Sequence, residues 1–271
     1  MRERASLAVR TWRSIEVELL GAAPRAGRSL IEENWRPDAA TAYCHRCGGS
    51  VGVGEAAASG CSACRELSLP WSSAVRLGRY EGGLKDAVRS LKFHSDRHAG
   101  RVLGRALGSR IRVTLERRGD PRAILVPVPT TEYRRLWRNR GVDHTLQLVR
   151  HASAASGVPI ARLLSRRHRP PQSETPPSKR VENVRRAFFL RSGAVVPSGV
   201  TVVLIDDVRT SGATLRACYR AISMETGRRR EMASRIVVAT VAVAGERRRG
   251  DSTTVAEQEI ADQDEFSYPA A

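Results

Sequence analysis

Lysine is nearly absent from this chain of 271 residues. Only Lys85, Lys92 and Lys179 occur among 46 basic side chains, so its cationic character is that of arginine. This bias weakens a direct reading of the net charge of +18 as a nucleic-acid footprint. Arginine enrichment can follow genome composition, and a site for a polyanionic small molecule favours the same basic surround. Long apolar runs are absent as well: none approaches the roughly 20 residues that a membrane span needs. The stretch Met1–Val17 mixes Arg and Glu with small residues and has no continuous apolar core. Neither a membrane span nor a secretory signal is expected. Aromatic residues amount to 5%, which argues against a surface built on base stacking.

The remaining composition is that of an ordinary globular protein, with 41% hydrophobic and 27% charged residues. The length suits one α/β domain plus something smaller. We divide the chain into a partly helical leader (1–40), a cysteine-bearing module (41–70), a main domain (71–246) and an acidic tail (247–271). In the leader, Leu7, Trp12, Ile15 and Leu19 share one helical face. From Asp251 onward the tail has six acidic residues and no basic ones, a composition that favours disorder. It either shields the basic surface in cis or is simply solvated.

The main domain alternates short apolar runs with amphipathic stretches. Strands are expected at Ala74–Tyr80, Ala123–Val128, Val200–Ile205 and Ile236–Val243. Helices are expected over Gly83–Phe93, around Leu103, Leu107 and Ile111, around Val142, Leu146 and Val149, and along the Leu215, Cys218, Tyr219, Ile222 face. This alternation predicts a doubly wound α/β domain on a parallel sheet. Lys85 and Lys92 read as a helix-face pair that solvates its surface.

Four of the five cysteines form two pairs, Cys44-x2-Cys47 and Cys61-x2-Cys64, separated by thirteen residues. Each pair makes a knuckle, and the separation suffices for a small ribbon that brings four thiolates around one structural Zn²⁺. A redox pair or four free thiols are the alternatives. His45 and Arg46 lie inside the first knuckle, where cationic groups would offset a four-thiolate charge. Cysteine used in this way places the chain in a reducing cytoplasm. Cys218 sits in an apolar pattern and reads as a small buried residue.

The most informative segment runs from Val202 through Ile205, Asp206 and Asp207 to Thr210-Ser-Gly-Ala-Thr214. An apolar strand ends in two carboxylates, and a turn of small and hydroxyl residues then leads into a helix. Unpaired N–H groups at a helix start, the helix dipole and a glycine that permits close approach together suit a phosphate monoester. Two adjacent acids suit the hydroxyls of a ribose, directly or through Mg²⁺. The plainer alternative is an ordinary strand-to-helix turn. The loop is not a Gly-x-Gly-x-x-Gly dinucleotide loop, and no Walker lysine follows it. Val126-Pro-Val-Pro129 ends another central strand, at the edge where open sheets hold ligands.

The Asp206–Thr214 segment resembles the signature of type I phosphoribosyltransferases. Together with the four-cysteine ribbon, Leu91-Lys-Phe93, Val126-Pro-Val-Pro129 and Lys179-Arg-Val-Glu-Asn-Val-Arg-Arg-Ala-Phe188, it resembles the ComF family of competence-associated proteins. The resemblance spans roughly residues 43–245. It departs at Arg209, at Val142-Asp143-His144 and at Ser173–Pro177. It implies that Asp206 and Asp207 are catalytic and contact the ribose, while Thr210, Ser211, Gly212, Ala213 and Thr214 hold the 5′-phosphate. Thr130, Thr131, Arg138 and Arg140 are the candidates for the pyrophosphate. The run Arg134–Arg140 is a mobile basic loop, a solvated stretch or a nucleic-acid contact, with the three left open. Arg180 and Arg185 either reach an anion or pair with Glu182. The implied ligand is phosphoribosyl pyrophosphate, or another ribose phosphate, with Mg²⁺, and the implied chemistry is phosphoribosyl transfer to an acceptor. The alternative is a DNA-uptake accessory that binds nucleotide or single-stranded DNA. A homo-oligomer is compatible with either.

Overall fold

Apolar runs too short for a helix, bracketed by turn residues, settle into a parallel sheet with helices on both faces. The computed structural model describes residues 35–52, 54–55, 60–65, 67–94, 96–130, 143–167, 187–228 and 235–244. The expected leader face (Leu7–Leu19), the acidic tail and most of the two arginine-bearing segments therefore lie outside the described residues.

A 3-10 turn at Ala40–Ala42 and the one-turn helix α1 (Ser62–Arg65) belong to the cysteine module. The main domain then runs β1 (Ser73–Arg79), α2 (Gly82–His94), α3 (Arg97–Arg118), β2 (Ala123–Pro127) and α4 (His144–Ser156). Two three-residue strands follow, β3 (Leu164–Arg166) and β4 (Phe188–Leu190). The chain continues with β5 (Thr201–Arg209), α5 (Ala213–Arg228) and β6 (Ile236–Val243).

The sheet order is β1-β6-β5-β2, and every neighbouring pair is parallel. This is the parallel-sheet α/β class that the alternation predicts. β6 is buried along its whole length, as a central strand covered on both faces must be. Side chains alternate between faces. Val203, Ile205 and Val237 pack with Leu84, Leu103 and Leu148 of α2, α3 and α4. Val202, Leu204 and Val238 pack with Leu215 and Cys218 of α5 and with Phe188 of β4. Cys218 is buried, as its apolar pattern implies.

Two features were not anticipated. The antiparallel β3–β4 ribbon is too short to show an alternation of its own. On α3, Gly100, Gly104 and Gly108 line the contact with α4. A Cβ added at Gly104 would stand 2.6 Å from the Leu148 carbonyl oxygen, and one at Gly108 would collide with Ala152. Helix α4 can thus lie directly on α3. It begins at His144 behind Asp143, whose carboxylate accepts the Leu146 N–H at 3.0 Å. Its buried face therefore runs through His144, Leu148 and Ala152, with Leu146 half-exposed toward a neighbouring pocket. Among the described residues no helix is long and apolar enough to cross a membrane.

Candidate functional site

Strand alternation sends the two acids near the end of β5 to opposite faces. Asp207 continues the face of Val203 and Ile205 and meets α2 and α4. Lys92 Nζ lies 3.1 Å from Asp207 Oδ1, and His144 Nε2 lies 3.0 Å from Oδ2. The Val208 N–H also donates to Oδ1, at 2.6 Å. An ionised carboxylate only accepts, so the His144 Nε2 facing it carries the hydrogen. Lys92, expected to solvate a helix face, is instead drawn into this group, because a carboxylate only 4% exposed requires partners. Its helix-mate Lys85 lies over the Tyr80 ring at 5.8 Å.

Asp206 follows the other face and is half-buried, with Oδ1 accepting the Asp207 N–H at 2.9 Å. Burial, and then the neighbouring Asp207 charge, push its carboxyl up to about 7. Burial opposes ionisation of Asp207 too, but Lys92 and His144 outweigh it and hold that carboxyl well below the ordinary carboxylate range. The pair thus contains one fixed anion and one acid poised near neutral pH.

After β5 the chain turns through Thr210 and Ser211, both exposed, and Gly212, which is buried with φ 76°. That backbone conformation suits glycine and lets α5 start at once, at Ala213. The Ser211 Oγ accepts the Ala213 N–H at 3.4 Å, while Ala213 and Thr214 are half-buried. The loop therefore presents hydroxyls and first-turn N–H groups at the carboxyl edge of the sheet. Arg209, the departure from the resembled signature, passes its stem along Gly212 and ends beside Gly48 of the cysteine module.

Across the sheet, Thr130 follows β2 and lines a pocket with Pro127 and Pro129. Arg162, Arg166 and Arg191 line the same pocket, with Asp143 the one carboxylate there among the described residues. Arg166 stacks over the Phe188 ring at 5.1 Å. These three arginines were not read as site residues from sequence, since they lie in or beside the two strands too short to recognise. Thr131, Arg138 and Arg140 lie outside the described residues. His144 was noted only as a departure in the sequence; the usable signal was its place directly after a capping aspartate.

The second candidate site is the cysteine cluster. All four Sγ atoms lie within 4.8 Å of one another and all four residues are buried. The short contacts run between the knuckles: Cys44 to Cys64 at 3.8 Å and Cys47 to Cys61 at 3.7 Å. Zinc–sulfur bonds of about 2.3 Å place tetrahedral sulfurs roughly 3.8 Å apart, so the cluster fits one Zn²⁺. Backbone N–H groups of Cys61 and Gly49 donate to the Cys44 and Cys47 sulfurs, each at 3.3 Å. Burial would raise the Cys44 thiol, but N–H groups of Cys47, Arg46 and Cys61 prevail and bring it down to about 7. His45 is pushed below its ordinary value by burial and by the charges of Arg117 and Arg110, which favours its neutral form. Arg46 remains the cation inside the knuckle.

No family profile matches the sequence, and no curated protein matches it. Among solved structures, the allosteric regulatory enzyme of purine biosynthesis is 15% identical with a TM-score of 0.33, over 56% of this chain and 30% of that one. The chain thus spans less than a third of that enzyme. An alanine mutant of an HPRT, made to analyse an invariant aspartic acid, is 16% identical at a TM-score of 0.33, covering 58% and 73%. A hypoxanthine phosphoribosyl transferase of Trypanosoma cruzi is 14% identical at 0.31, covering 62% and 92%. Likeness of this degree says nothing about chemistry, which rests on the geometry above.

Proposed function

We propose that the main domain binds phosphoribosyl pyrophosphate with Mg²⁺ along the carboxyl edges of β5 and β2, and transfers its phosphoribosyl group to an acceptor. One observation carries the reading: a parallel strand carries two carboxylates in its last four residues and then turns, through Thr210, Ser211 and a glycine at positive φ, into a sixteen-residue helix. A buried strand with two adjacent acids near its end is costly without a ligand, a metal or paired cations. Here Lys92 and His144 contact Asp207, and their charges ease Asp206 without preventing its carboxyl from being pushed up.

In this reading Thr210, Ser211, Gly212, Ala213 and Thr214 hold the 5′-phosphate through hydroxyls and backbone N–H groups. Asp206 accepts from the ribose hydroxyls. Asp207 acts with Lys92 and His144 to fix the strand end beneath them. Thr130 and the arginines of its pocket face the pyrophosphate, whose bond to the ribose carbon breaks as the bond to the acceptor forms. Such a transfer needs positioning and charge stabilisation more than a strong nucleophile. The half-buried Asp206 carboxylate suits Mg²⁺, which takes one or two carboxylates plus phosphate oxygens and would neutralise charge on the leaving group when bound. The cysteine cluster serves as a structural zinc site. Calorimetric titration of phosphoribosyl pyrophosphate with Mg²⁺ tests the reading. Binding to wild type that disappears in the Asp206→Asn/Asp207→Asn double variant supports it, and a wild type that does not bind overturns it.

A different observation favours a second reading, a nucleic-acid accessory. Arg97, Arg101 and Arg105 recur every four residues on α3, and all three are exposed. Such a stripe meets successive phosphates of a strand. A steep loss of single-stranded DNA affinity with salt supports it, and a shallow one argues against it.

A further inference from the structure

The cysteine module does not hang on the domain by its chain connection alone. Arg76 of β1, 1% exposed, donates to the Gly48 carbonyl at 3.0 Å, to Ser50 Oγ at 2.8 Å and to Asp38 Oδ2 at 2.8 Å. The Ala74 N–H and the Ser73 hydroxyl both donate to the His45 carbonyl, at 2.6 and 3.0 Å. The first knuckle is therefore seated on strand β1.

Trp71 extends this seat to the loop after β5. Its ring is buried, and its Nε1–H donates at 3.0 Å to the carbonyl of Arg46, the residue between Cys44 and Cys47. The far edge of the ring packs on Gly212: a Cβ there would lie 3.3 Å from Trp71 Cη2. The Arg216 guanidinium stacks over the same ring at 5.6 Å and donates to the Ser211 carbonyl at 3.4 Å. One side chain thus touches the zinc knuckle at one end and, at the other, both the hinge glycine of the loop and the arginine that holds Ser211.

We propose that Trp71 is a positioning residue that couples the two sites, so that zinc in the cysteine cluster sets the conformation of the Thr210–Thr214 loop and an anion in the loop in turn tightens zinc. The geometry has a stated physical consequence. A knuckle closed on a metal fixes the Arg46 carbonyl, the carbonyl fixes the indole through a buried hydrogen bond, and the indole closes one wall of Gly212. A loop held in one conformation binds without a further ordering cost, and linkage requires the effect to run both ways. The half of the proposal that concerns an anion rests on the ribose-phosphate reading above; the half that concerns the loop's conformation does not.

The test has two arms, both on the full zinc-loaded chain. The first needs no ligand: hydrogen exchange of the Ser211–Leu215 amides is compared between wild type and Trp71→Phe, which keeps a ring and loses the Nε1–H. Exchange about five-fold faster in the variant, with the β6 amides unchanged, supports the coupling; equal exchange overturns it. The second follows zinc release to a chromogenic chelator with and without ribose 5-phosphate. Release slowed by about five-fold in wild type and not in Trp71→Phe supports it, and equal slowing in both overturns it. If calorimetry shows that ribose 5-phosphate does not bind wild type, the ribose-phosphate reading is what fails, and the exchange arm decides the coupling by itself.

Discussion

The four cysteines of the knuckles and the two aspartates near the end of β5 are each sets of identical residues crowded together, and the fold treats the two sets in opposite ways. The cysteines converge on one point, so each faces the other three sulfurs and all four are placed to share one ion. They do so although backbone N–H groups outweigh burial and pull Cys44 down, while burial pushes Cys64 up. The aspartates are neighbours on a strand, so alternation sends them to opposite faces. Asp207 gains Lys92 and His144; Asp206 gains burial and the repulsion of its neighbour. A shared point comes from convergence, and a division of roles comes from the pleat.

The largest expected effect tests the convergence. Cys44→Ser and Cys61→Ser should each take zinc from about one per chain to near zero and lower Tm by more than about 10 °C. The comparison breaks if one of the two variants keeps its zinc and its melting temperature.

Second comes the fixed anion. Asp207→Asn removes the carboxylate that Lys92 and His144 contact and should cost about 3 kcal/mol in urea denaturation at neutral pH. Because the Asp207 carboxyl is depressed on folding, its stabilisation is present above the ordinary carboxylate value near 4 and is lost as pH falls below it. The gap between wild type and variant should therefore shrink below about pH 4. A gap that stays constant across that range would show that the ion pairs carry none of it.

These two sites also differ in how much of them the sequence contains. The four-cysteine cluster is legible because knuckle spacing is a local property, and the cluster closes with residues from a single stretch. The strand end, the glycine loop and the sheet were legible for the same reason, since period and turn residues are local. The partners of Asp207 were not. Lys92 and His144 are brought to it by packing between helices distant in sequence, and a lysine on an amphipathic helix has the same sequence signature whether solvated or paired. The α3–α4 contact that delivers His144 depends on Gly100, Gly104 and Gly108, whose spacing of four was in plain view but reads as a weakness of helix rather than a close approach. Gly104→Ala should make the point. Although alanine is the better helix former, the variant should lose about 2 kcal/mol through the collision with the Leu148 carbonyl, measured by denaturant midpoint. A stabilised variant would mean that α4 can retreat, and with it His144.

The smallest effect is the one that most sharpens the contrast between the acids. The Asp206 carboxyl is raised to about 7 on folding, so the folded protein holds a proton that the unfolded chain releases near pH 4. Wild-type stability should therefore decline as pH climbs from about 4 to about 7, then level off. Asp206→Asn removes that decline. Measured without added Mg²⁺, its Tm should match wild type at pH 4 and exceed it by about 3 °C at pH 8, the reverse of the Asp207 variant. Binding should move the other way. A ligand that needs the ionised carboxylate should bind wild type more tightly as pH rises through 7, and the Asp206→Asn profile should lack that step. A variant as stable as wild type at every pH would mean that solvent reaches Asp206 well enough to keep it ordinary, and the two acids would then differ only in their partners. A gain at pH 8 paired with lost binding would identify Asp206 as the residue whose cost in the empty fold is recovered only when a ligand arrives.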